Sequence, residues 1–181
     1  GKELYFRTDK ISKGTPVVYN INRIASHLGR DLCCQLLFLH AFAGFDSRSR
    51  IYGVGKKSSF LKLLNGNEIL KSSANTFLLD EQAHEVIEKS GNQAMISLYG
   101  GEDASSLSGL RLSNFTRKIK CGTSFVQPET LPPTDSSNRF HSFRTYYQTM
   151  KWMDKHKSID PLQWGWALGE NMLIHVMNEI A

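Results

Sequence analysis

The sequence predicts a predominantly helical protein: a short α/β portion within residues 1–72, then a helical region over 73–181. Three observations predict it. Two brief β-type runs, Glu3–Arg7 (ELYFR) and Pro16–Tyr19 (PVVY), stand near the start. After them come longer stretches with helical spacing, opened by capping residues such as Asn20, Asp31 and Thr134. Glycine and proline clusters then separate those stretches.

Taken in order, Pro16 occupies the first strand position, where a missing N–H is tolerated. Asn20 caps a helix over Ile21–Leu28, and Gly29 ends it. Asp31 opens a second helix, LCCQLLFLHAFAGF, which is apolar nearly all round and so expected to be buried, with His40 a hydrogen-bonded core histidine. Lys56–Leu64 reads as a third helix that turns Phe60, Leu61, Leu63 and Leu64 inward and leaves Lys56, Lys57 and Lys62 outside. Asn65-Gly66-Asn67 is a turn before a short helical piece, Glu68–Lys71. Glu81–Lys89 and Asn92–Leu98 read as two helices, and Gly100-Gly101 as a break. Ser106–Ile119 is an amphipathic helix with Leu107, Leu110, Phe115 and Ile119 on one stripe. A proline-marked loop over 121–133 leads to a long helix from Thr134 or Asp135 to about Met153, and Leu162–Val176 suits a closing hairpin.

The bulk figures narrow the function classes. Net charge is +5, so local clustering says more than the total. Cations gather at 48–62 and at 111–120 (Arg111, Arg117, Lys118, Lys120), acids at 80–103. Cys33, Cys34 and Cys121 form no disulfide framework and have no zinc-finger spacing with histidine, which favours an intracellular, reducing compartment. The apolar run Leu36–Phe45 is too short to span a bilayer, so no membrane partner is expected.

Gly44–Leu64 (GFDSRSRIYGVGKKSSFLKLL) carries the chemistry. Asp46 stands ahead of a Gly-x-Gly turn, Gly53-Val54-Gly55, and Arg48, Arg50, Lys56, Lys57 and Lys62 surround that turn with no further acid before Glu68. Backbone N–H groups at the start of the following helix, with the positive end of its dipole, suit an anion. Glycine permits close approach of phosphate oxygens. The expected nucleic-acid contacts are Arg48, Arg50, Gly53, Val54, Gly55, Lys56, Lys57 and Lys62, directed at the phosphate backbone rather than at bases. Ser58 and Ser59 could donate to phosphate or simply start the helix. An ordinary interhelical turn with solvated lysines is the competing reading. Asp46 suits a cap, an ion pair or a metal ligand; a single carboxylate cannot hold a catalytic metal pair, so further acids would have to come from elsewhere.

The stretches VVYNINRIASHLG (Val17–Gly29), FAGFD (Phe42–Asp46) and YGVGKKSSFLKLL (Tyr52–Leu64), in this order, resemble the flap endonuclease/XPG branch of the PIN-like nucleases. There a buried helix ends in a segment like LLGSDY, followed by a turn like GIGPK and a basic helix. The resemblance covers roughly residues 3–72 and implies the α/β edge of a PIN-like domain: the C-terminal half of a Mg²⁺-dependent, structure-specific DNA endonuclease, a hydrolase. It implies that Asp46 is a late metal ligand and that 53–57 form the helix–turn–helix grip on duplex or branched DNA, with K⁺ held by carbonyls of the turn. The family's earlier carboxylates would precede Gly1, so the resemblance implies that this chain on its own binds DNA weakly and cuts nothing. A DNA partner implies nuclear placement. The pieces SLYGG (97–101), LPPT (131–134), RTYYQ (144–148) and WGW (164–166) resemble the C-terminal part of PIN-like proteins found near mobile elements in invertebrate genomes. Two alternatives stay open: a non-catalytic nucleic-acid-binding module, and a protein-interaction module using the aromatic C-terminal half.

Overall fold

The computed structural model describes residues 2–8, 16–44, 51–101, 106–122 and 125–176. Among them are seven α-helices and two small antiparallel sheets, a predominantly helical architecture. The chain forms two compact units, 1–34 and 35–181; the division expected at 72/73 falls inside a helix.

In the first unit β1 (Tyr5–Arg7) pairs antiparallel with β2 (Val18–Asn20), Phe6 facing Tyr19. Asn20 then caps α1 (Ile21–Leu28): its Oδ1 accepts from the Arg23 N–H at 3.0 Å. Asn22 Oδ1 accepts from the Leu4 N–H at 2.7 Å, fixing the helix start to the strand. Gly29, at φ +79°, ends the helix as expected. The described residues of this unit bury almost nothing. Leu4, Tyr5, Phe6, Val17, Val18 and Tyr19 are 43–61% exposed, and α1 has no buried residue.

The helix α2 (Arg30–Phe42) supplies Phe38, Leu39, Ala41 and Phe42 to the core of the second unit. It is not buried all round: Cys34 and His40 are exposed, and His40 stacks on Trp152 at 5.5 Å instead of sitting in the core. After α3 (Lys56–Leu64), the capping Asn67 accepts from the Leu70 N–H at 2.8 Å and opens α4 (Glu68–Leu78), well beyond the short piece expected. Its continuation, SSANTFL, presents Ser73, Ala74 and Phe77 to the core. Helix α5 (His84–Leu98) runs unbroken through Gly91 where two helices were expected. The glycine is there for proximity: a Cβ at Gly91 would lie 1.9 Å from Ser142 Oγ. That serine belongs to α7 (Asp135–Trp152), which Thr134 caps by accepting from the Ser137 N–H at 3.3 Å.

Helices α4, α5 and α7 enclose an aromatic chain. Phe38 and Phe77 lie 4.8 Å apart, Phe77 and Tyr146 6.3 Å, and Tyr146 and Trp164 4.5 Å, ring centre to ring centre. Phe143, Tyr146 and Trp164 are buried, and Phe140, Tyr147, Trp152 and Trp166 are half-buried. The hairpin of β3 (Trp166–Leu168) and β4 (Leu173–His175) closes the unit. Buried Arg144 ties it to α7 by donating to Val176 O at 2.6 Å and Gly165 O at 3.4 Å, and burial brings the guanidinium down to about 10. Deeper still, His141 donates from its ring to Phe42 O at 2.8 Å; burial pulls its pKa down to about 4, so it is neutral.

Between α5 and α7 lies α6 (Leu107–Lys120), started by Ser106, whose hydroxyl accepts from the Gly109 N–H at 3.0 Å. Leu107 and Leu110 are buried, but Phe115 and Ile119 are exposed, against expectation. The helix period gives the reason. The face that continues Leu107 and Leu110 passes through Arg111, Asn114 and Lys118, all half-buried, while Phe115 and Ile119 lie roughly a third of a turn away. No helix among the described residues is long and apolar enough to cross a membrane.

Candidate nucleic-acid interface

The turn before α3 is built by two buried apolar anchors around two exposed positions. Ile51 and Val54 are buried, while Tyr52 and Gly53 face solvent. Gly53 has φ +73° and Tyr52 a negative φ, the arrangement of a type II turn, in which a residue with a side chain at the third position is strained. A Cβ at Gly53 would meet nothing within 4 Å, so the conformation, not crowding, requires glycine. The Tyr99 hydroxyl donates to Tyr52 O at 2.9 Å and straps the turn to the end of α5. Burial raises the Tyr99 pKa, against a smaller lowering by the Arg111 charge, so that hydroxyl stays protonated.

Gly55 is the N-cap of α3 (φ −85°, ψ 149°), and no side chain accepts a hydrogen bond at this cap. Asn20, Asn67, Ser106 and Thr134 each cap their helix with a side-chain oxygen, whereas α5, begun after Ala83, also lacks one. The start of α3 therefore keeps its dipole without a side-chain acceptor at the cap. Lys56 and Lys57 are exposed in its first turn. His40 is held below its usual pKa by burial and then by the Lys56 charge.

Other expected contributors are placed differently. Ser58 and Ser59 turn their hydroxyls to Gly55 O, at 2.8 and 3.1 Å, and so start the helix. Lys62 donates to Ser97 O and Leu98 O, both at 2.8 Å, which occupies its ammonium at the C-terminus of α5. Within α3 only Ser59 and Leu63 are buried; Phe60 is half-buried, and Leu61 and Leu64 are exposed rather than inward. Asp46, Arg48 and Arg50 lie outside the described residues. Among the described residues no three His, Cys, Asp or Glu side chains gather to hold a metal. A K⁺ at the turn would compete with the Tyr99 hydroxyl for Tyr52 O and with both serines for Gly55 O.

Two features escaped the sequence reading. One is the Tyr99 strap, visible only once the end of α5 is next to the turn. The other is the pairing of Arg111 with Pro132 O and of Lys118 with Thr130 Oγ1, at 3.0 Å for the lysine, which engages two of the cations expected on a second basic face. No protein-family model, curated protein or solved structure matches the chain.

Proposed function

We propose that this chain grips the phosphate backbone of duplex or branched DNA through the turn Gly53–Lys57, as the C-terminal part of a Mg²⁺-dependent structure-specific endonuclease of the PIN-like class. The carrying observation is the start of α3: a glycine N-cap without a side-chain acceptor, a positive-φ glycine in the open, and two exposed lysines in the first turn. Such contacts hold the sugar–phosphate rail without reading sequence. The first unit supports the α/β assignment. Strands with apolar side chains exposed on both faces fit a sheet that other layers cover, because a two-stranded hairpin alone is marginal in water.

In this reading Asp46 would be one carboxylate ligand of bound Mg²⁺, and the metal would supply the nucleophile and charge neutralisation for phosphodiester hydrolysis. The residues at 53–57 hold the substrate and perform no chemistry. The test uses the full-length protein and a labelled branched duplex, with and without Mg²⁺. Asp46→Ala should abolish Mg²⁺-dependent cleavage and retain binding. Binding without cleavage by the unaltered protein assigns the chain to a non-catalytic DNA-binding module, and absence of duplex binding removes both readings.

A further inference from the structure

The strongest feature outside that turn is the outward face of α6. Leu112, Phe115 and Ile119 are 65%, 42% and 46% exposed, and their spacing of three and then four residues sets them on one line along the helix. Their exposure follows from geometry: the helix is anchored through Leu107 and Leu110, on a different side. Cations edge the line, Arg111 and Lys118 on one side and Lys120 on the other; α6 itself carries no acid, and the Asp135 carboxylate from α7 accepts from the Ser108 hydroxyl at the line's N-terminal end.

We propose that this face docks an amphipathic helix of another protein, one that brings apolar residues at matching spacing and carboxylates on both flanks. The apolar line is a seam of the kind helices use against each other. The charge selects the partner's flanks, since three cations along the seam, against the single Asp135 carboxylate at its N-terminal end, set a sign preference on anything laid beside them. The same charge disfavours two-fold pairing of α6 with a second copy, which would place cations against cations. A lipid surface is a poorer fit. Arg111 and Lys118 are turned back to Pro132 O and Thr130 Oγ1, where they border the seam but do not reach out to headgroups. Nucleic acid fits less well again, because phosphates following this face would rest on three apolar side chains.

The experiment uses the whole chain and two synthetic helical peptides with the same leucine seam, one flanked by glutamate and one by lysine, read by fluorescence anisotropy. The glutamate-flanked peptide binds and the lysine-flanked one does not. Phe115→Ser weakens binding about tenfold or more, and Leu112→Ser, at the more exposed position of the line, weakens it with an unchanged melting temperature. Lys120→Glu narrows the difference between the peptides. The proposal is overturned if neither peptide binds or if both bind alike. It is equally overturned if Phe115→Ser instead abolishes self-association, adsorption to phosphatidylserine vesicles or duplex binding, since each result hands the face to a different occupant. Duplex binding by the turn at 53–57 is measured separately, so either reading can fail alone.

Discussion

Replacing Lys62 with alanine separates structural cations from binding cations. The ammonium makes two charge-assisted hydrogen bonds, to Ser97 O and Leu98 O at 2.8 Å each, at the negative end of α5. Each such bond contributes about 1.5 kcal/mol or more when shielded. The lysine is half-exposed, so solvent screening reduces the pair to about 2 kcal/mol. For a chain of this length that is a drop of roughly 6 °C in melting temperature. Differential scanning calorimetry on Lys62→Ala reads it, with Lys57→Ala as the control expected to melt like the parent. A Lys62→Ala protein that melts unchanged, yet loses as much duplex affinity as Lys57→Ala, would refute the assignment of Lys62 to the α5 terminus.

Other expectations rest on single sites. His141, brought down to about 4 by burial, stays neutral in the fold while the unfolded chain takes up its proton near the ordinary 6.5. Its contribution is therefore complete above about pH 6.5 and is lost as pH falls towards 4, about 3 kcal/mol in all, and melting curves across that window should show the loss. Gly91→Ala should destabilise by about 2 kcal/mol in urea unfolding, because its Cβ would fall 2.7 Å from Ser142 Cβ and part α5 from α7. Tyr99→Phe removes the strap to Tyr52 O and should weaken duplex binding roughly threefold at constant salt, with little change in fold by circular dichroism.

Local chemistry was the legible part of this sequence. Asn20, Gly29, Ser106 and Thr134 mark helix ends because capping depends on residues adjacent in the chain. The α3 bounds and the hairpin near the C-terminus follow for the same reason. What escaped depends on neighbours distant in sequence. Gly91 reads as a break until Ser142 is set against it, and α4 appears short until Phe77 has Phe38 to pack on. His40 lies in an apolar run but on the side of α2 that faces outward. At the candidate site the turn and its two lysines were readable, whereas the diversion of Lys62 to Ser97 and Leu98 required the end of α5 to be in place.

The grip on phosphate is tested most directly by the salt dependence of duplex affinity, compared between the parent and Lys56→Ala/Lys57→Ala. If both ammonium groups meet phosphates, the plot of log affinity against log salt becomes shallower by about 1.8 in the double variant, while the melting temperature holds. Equal slopes in the two proteins would mean that the backbone is held somewhere other than the start of α3.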